Sequence, residues 1–201
     1  MKIHHLCAGA LTMMSAMPGV AAEVGSDDLI KALQAGGMVL YVRHAATESD
    51  YADQVAADPL NCATQRVLSE TGWQQARGIG AAITAHDIPV SDVISSQFCR
   101  AWQTADLAFG RYEKTADLNF EKAEEYSDAQ FEAMRTRVAP LLSAPVAAGE
   151  NRVIVGHDDP FEAATGIYPE PQGVTYVLRP DGAGGFEVLG HIDPDAWPDK
   201  S

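Results

Sequence analysis

Apolar positions fall into short solid runs separated by longer amphipathic stripes. Five runs read as strands: residues 38–42, 90–95, 152–155, 174–178 and 186–189. Met38-Val39-Leu40-Tyr41-Val42 and Val153-Ile154-Val155 have no polar member, the pattern of strands covered on both faces. Between the runs lie helical periodicities over 27–34, 68–86, 100–109 and 128–142, with a short one near 161–165. Strands alternating with helices predict the α/β class, with a mainly parallel central sheet carrying helices on both faces. The stretch "RPDGAGGFEV" reads instead as a hairpin turn between two strands. No helix follows its glycines, so they make a poor dinucleotide fingerprint. There is no internal repeat, and residues 46–61 form a polar, Asp-rich loop after the first strand.

Composition changes this picture at the amino terminus. Lys2 precedes a mainly apolar stretch from Leu6 to Met17, and Val20-Ala21-Ala22 ends it in small residues. That order predicts a signal peptide over 1–22, removed on export, and a single domain over 23–201. The stretch is too short to cross a bilayer, so no membrane insertion is expected once it is removed. The expected location is periplasmic or secreted. Lys and Arg number 14 against 28 Asp and Glu, a net charge of −14. Nucleic acid and anionic membrane are therefore excluded as expected partners, and an anion site has to be built locally. Past the leader, Cys62 and Cys99 are the remaining cysteines. In an oxidising compartment they are expected to form a disulfide, the alternative being two buried free thiols.

Candidate chemistry gathers at the carboxyl ends of the predicted strands, where open α/β sheets bind ligands. The first strand runs into Arg43-His44, the third into Gly156-His157, and Arg100 opens the helix after the second. Any one of these residues is ordinary at a strand end or surface. Two arginines and two histidines at one rim are the donor set of an anion site, assisted by helix N-termini.

These segments carry a resemblance. "LYVRHAAT" resembles the Arg-His-Gly-x-Thr signature of the histidine phosphatase superfamily, the group that includes cofactor-dependent phosphoglycerate mutases. "LSETGWQQARGIG", "SSQFCRAWQTA" and "VIVGHDD" resemble its later segments, in family order across roughly residues 36–180. The resemblance, of the branch 1 type, implies a three-layer Rossmann-like sandwich and a phosphohistidine mechanism without metal or cofactor. His44 matches the nucleophile; Arg43, Arg100 and His157 match groups that hold phosphoryl oxygens; Thr47 matches a further phosphate contact. Ala45 stands where the signature has glycine. "AATESDYADQ" replaces the segment with which mutases contact phosphoglycerate, which counts against a mutase.

For the proton donor, Asp158, directly after His157, ranks above Glu124, with Asp159 below both; Glu121 and Glu125 share the window of Glu124. Asp158 and Asp159 also suit the start of a helix, which is their plain structural reading. A cysteine phosphatase needs an arginine six positions after its nucleophile, but Cys99 has Ala105 there and Cys62 has Leu68. Serine hydrolase, zinc protease and P-loop patterns are missing from the sequence. The expected function is an exported phosphomonoester hydrolase acting through His44. The alternatives are a non-catalytic phospholigand-binding module of the same fold and a phosphomutase. The loop over 46–61 and residues 119–127 are expected to wall the pocket, and their acidity favours a small phosphorylated substrate over a polyanion.

Overall fold

The computed structural model describes residues 24–50, 53, 57–122 and 125–198. The expected signal peptide and Glu124 lie outside the described residues. Helices α1 (Ser26–Ala35), α2 (Glu70–Ala85), α3 (Cys99–Phe109), α4 (Asp128–Ser143) and α5 (Asp158–Thr165) alternate with strands β1 (Val39–Arg43), β2 (Val90–Ser96), β3 (Glu113–Thr115), β4 (Asn151–Gly156), β5 (Thr175–Pro180) and β6 (Phe186–Ile192). The six strands form one sheet in the order β3-β2-β4-β1-β5-β6. Strands β1 to β4 run parallel, and β5 and β6 are antiparallel additions on one side.

The solid apolar runs are explained by position. β4 and β1 are paired in register at the middle of the sheet, Val39 opposite Arg152 through Arg43 opposite Gly156. Successive side chains leave a strand on opposite faces. Leu40, Val42, Val153 and Val155 pack on one face with Leu29, Ile79, Ile83 and Ala105 of α1 to α3. Val39, Tyr41 and Ile154 pack on the other with Val138 and Leu142 of α4 and Phe161 of α5. Each such fully buried side chain contributes about 1.5–3 kcal/mol, so both layers hold the strand ends in place.

Most element ends differ from the sequence expectation by one to three residues, and three differences have clear physical reasons. β3 has no apolar run because Glu113-Lys114-Thr115 is a short edge strand, where charge suits solvent. α2 starts at Glu70, since the Ser69 hydroxyl accepts from Gly72 N–H as a cap and Leu68 pairs with Thr47 instead. α5 starts at Asp158, ahead of the 161–165 stripe, with His157 as its N-cap residue. Asp158 and Asp159 therefore fill the first helical turn, where negative charge complements the helix dipole.

Gly72 and Gly80 have packing reasons. A Cβ at Gly72 would overlap the Ala46 carbonyl, and one at Gly80 would overlap the Ala108 carbonyl. These contacts seat α2 against the loop after β1 and against α3.

Candidate active site

The parallel strands bring Arg43, His44, Ser96 and His157 to one edge, and α3 presents Arg100 in its first turn. His44 and His157 are wholly buried, and Arg43 and Arg100 are 5% and 4% exposed. The main chain of His44 is fixed from both sides: its N–H donates to Gly156 O (2.9 Å), and its carbonyl accepts from Gly173 N–H (3.0 Å). Ala45 N–H donates to the Thr104 hydroxyl (3.0 Å), which itself donates to Arg100 O (2.7 Å). The Arg100 turn and the loop after His44 are thus one hydrogen-bonded unit. Ala45 is fully buried against Leu68 and Ala76, so a methyl group fits where the signature has glycine.

The neighbours of His44 settle its protonation pattern. Arg100 Nε only donates, so His44 Nε2, 3.1 Å away, carries the lone pair. The Ala45 carbonyl only accepts, so Nδ1, 2.9 Å from it, carries the hydrogen. Burial, then the positive charge of Arg100, hold the imidazole well below its ordinary titration range. A neutral ring, its Nε2 lone pair facing the Arg100 guanidinium, is the form in which an imidazole can act as a nucleophile.

His157 is set by a different relay. The Ser96 hydroxyl donates to Asn119 Oδ1 (2.8 Å), which leaves its oxygen to accept from His157 Nε2 (2.9 Å). Tyr41 donates its hydroxyl to His157 O (2.7 Å) and accepts from His157 N–H (3.0 Å). Gly156 makes room for that clamp, because a Cβ there would overlap the Tyr41 hydroxyl. Burial, then Arg100, keep His157 neutral as well. The rings of His44 and His157 stand 5.4 Å apart, with Phe98 and Phe120 walling His157 edge-on.

Both arginines carry carboxylate partners. Arg43 Nη2 meets Asp158 Oδ2 at 2.5 Å, while its Nη1 donates to Pro169 O (2.8 Å). Arg100 Nη1 meets Asp53 Oδ2 at 3.0 Å, and Asp53 Oδ1 also accepts from Arg66 N–H (2.7 Å). Tyr168 donates to Asp158 Oδ2 (2.9 Å) and lies under the Arg43 guanidinium. Asp159 accepts from Tyr126 (2.8 Å), and burial, then the Asp158 charge, push its carboxyl up. An open cleft of ≈ 500 Å³ beside Arg43 is lined by Glu170, Pro171 and Gln172. A larger one, ≈ 640 Å³, includes Ser91, Asp92 and Arg152 at the start of β2 and β4, away from these residues.

The structure therefore brings Arg43, His44, Arg100, His157 and Asp158 together. The Thr47 hydroxyl is engaged by Gln172 Nε2 (3.3 Å), and Thr47 N–H donates to Gln172 Oε1 (3.0 Å). Glu121 forms an ion pair with Arg137 (2.8 Å), and Glu125 is exposed. A disulfide joins Cys62 to Cys99, the residue before Arg100, and Gln65 Oε1 accepts from Cys99 N–H (2.8 Å). Sequence reasoning did not single out Asp53, Arg66, Ser96, Asn119 or Tyr41. The polar Gln65-Arg66 pair shortly after Cys62 was the one available signal for Arg66.

Three buried nitrogens of this cluster, Arg43 Nε, Arg66 Nε and His157 Nδ1, have no hydrogen-bond partner among the described residues. Arg43 Nε–H and Arg66 Nε–H are therefore unused donors suited to an anion, whereas His157 Nδ1 carries a lone pair while its Nε2 donates to Ser96.

Residues 39–121 match the family model described as histidine phosphatase superfamily (branch 1). No curated protein matches the sequence. Among solved structures, the fold is similar to the protein histidine phosphatase SixA complexed with tungstate (TM-score 0.54, 18% identity, 79% of this chain and 97% of that one). It is also similar to a phosphoserine phosphatase from Entamoeba histolytica in complex with phosphoserine (TM-score 0.58, 13% identity, 80% and 99%). A third is a mycobacterial glucosyl-3-phosphoglycerate phosphatase (TM-score 0.53, 14% identity, 83% and 100%). The motif-bearing residues 39–121 thus match the model of the histidine phosphatase superfamily (branch 1), and the fold is shared across nearly the full length of these phosphatases.

Proposed function

We propose that the protein is a phosphomonoester hydrolase that works through a phosphohistidine on His44, without metal. The observation that carries this reading is the fixed tautomer of His44: a buried, neutral imidazole with its Nε2 lone pair held against the Arg100 guanidinium. A phosphoryl oxygen competes with Nε2 for the Arg100 Nε–H, and its arrival frees the lone pair to attack phosphorus. The bond from phosphorus to the leaving oxygen then breaks, and that oxygen takes a proton from a carboxyl group. Water next attacks phosphorus, returns a proton to the carboxylate, and breaks the bond to His44 Nε2, releasing phosphate. Guanidinium groups supply positive charge where it develops on the phosphoryl oxygens. His157 donates to the same group once the incoming dianion lets it take up a proton at Nδ1.

The proton donor is assigned to the adjacent carboxyls, with Asp158 at the arginine and Asp159 behind it. Asp158 Oδ2 already accepts from Arg43 and Tyr168, and the carboxyl of Asp159 is pushed up by burial and by the Asp158 charge. Asp158→Asn and Asp159→Asn are compared on para-nitrophenyl phosphate and on an alkyl phosphate. Loss of the donor is expected to cost about 10²–10⁴-fold on the alkyl ester and far less on the nitrophenyl ester. Equal losses on both esters exclude that residue as the donor.

The disulfide supports an exported location, since such bridges persist in oxidising compartments. The acidic surface supports a small phosphoester as substrate, and the tungstate complex of SixA supports an oxyanion as its probe. The test is hydrolysis of para-nitrophenyl phosphate in EDTA from about pH 5 to pH 8. Because the pKa of His44 is lowered, the nucleophile stays unprotonated below the ordinary histidine range near 6.5. Turnover is therefore expected to persist below that point. Activity that requires added divalent metal, or binding of vanadate with no turnover of any phosphoester, contradicts the reading; the second outcome identifies a binding module.

A further inference from the structure

The charge balance of the site identifies a residue outside the motif set. Arg43 is matched by Asp158 and Arg100 by Asp53, each at ion-pair distance. His44 and His157 are neutral. These four groups and their two carboxylates therefore carry no net positive charge, yet a phosphoryl dianion has to be held among them. Arg66 makes up the difference. Among the described residues its guanidinium forms no ion pair, and its Nε is buried with no hydrogen-bond partner. Its main-chain N–H shares the Asp53 carboxylate with Arg100, whose Nε touches the nucleophile. Its charge also bears on His44, His157 and Arg100 together.

Local structure holds Arg66 there. The preceding Gln65 is clamped at both ends of its amide, to Cys99 N–H (2.8 Å) and to Asp58 O (2.6 Å). Leu68 pairs with Thr47, and the disulfide at Cys62 closes the segment onto the start of α3. A guanidinium on a segment strapped twice to the Arg100 turn, with an unpaired buried N–H, is a pre-positioned donor.

Resting on the reading that His44 receives the phosphoryl group, we infer that Arg66 is an additional phosphoryl-binding residue and supplies the site's uncompensated positive charge. Its partner is the oxyanion itself, so inorganic vanadate and phosphate report on it without turnover. Inhibition constants for both ions are measured in the parent, Arg66→Met and Arg66→Lys, beside thermal melts. Removing one charge-assisted hydrogen bond weakens binding in Arg66→Met by about 10- to 100-fold, and the salt dependence of binding shrinks. Arg66→Lys keeps the charge but loses the Nε–H donor, and falls between parent and Met. A cooperatively melting Arg66→Met that binds vanadate within about twofold of the parent overturns the inference. Should Arg66→Met not melt cooperatively, Arg66→Lys decides: weakening of about threefold or more upholds it, and parent-like binding overturns it. Failure of the phosphohistidine reading is separable, because it appears as a parent protein that forms no phosphoenzyme.

Discussion

Replacing His44 by alanine is expected to lower kcat on para-nitrophenyl phosphate by roughly ten-thousand-fold or more, the scale seen when a nucleophile is removed from its catalytic unit. The size follows from the site's construction. Arg100 touches the His44 lone pair and His157 stands beside that ring, and positive charge with nothing to attack phosphorus leaves only water as nucleophile. The fold is expected to survive, because the His44 main chain keeps its bonds to Gly156 and Gly173 whatever the side chain. A cooperative melt therefore accompanies the lost activity. A variant that keeps kcat within about tenfold of the parent would mean that water attacks phosphorus directly and that His44 only positions the substrate.

The second large effect is on stability. The Cys62–Cys99 bridge closes a loop of 37 residues of sequence separation. Loop-closure entropy assigns such a bridge about 3–4 kcal/mol. The Cys62→Ser, Cys99→Ser double variant is expected to lose that much in urea unfolding, a large share of the stability of a domain this size. Activity should fall as well, through a raised KM, because the bridge and the Gln65 clamp seat the residue before Arg100 and the segment bearing Arg66. An unfolding midpoint unchanged by reductant, or two titratable thiols in the denatured parent, would refute the bridge's role.

The architecture was legible because the central strands are buried on both faces and so print as uninterrupted apolar runs. Arg43-His44 and His157 stood out for the same reason, being polar residues directly after such runs. Arg100 was legible as the opening residue of an amphipathic stripe. β3 was not, since an edge strand of Glu113-Lys114-Thr115 has no buried face to record. Nor were Asp53, Ser96, Asn119 and Arg66. They reach the site from loops and a strand end through pairwise contacts across the fold, and such contacts leave no periodicity along the chain. The pairing of Asp158 with Arg43 was equally hidden: adjacency to His157 marked Asp158 as an acid, but only the fold shows that Arg43 and Tyr168 already share one of its oxygens.

The central claim is that phosphate passes through His44 Nε2. Its most direct test is to mix the protein with radiolabelled phosphoester, quench in alkali during the first turnover, and map the labelled peptide. Label that is stable to alkali, released by acid, confined to the peptide carrying His44 and missing from His44→Ala is the expected result. Steady turnover with no labelled protein at any quench time would contradict the phosphohistidine and leave direct hydrolysis as the reaction.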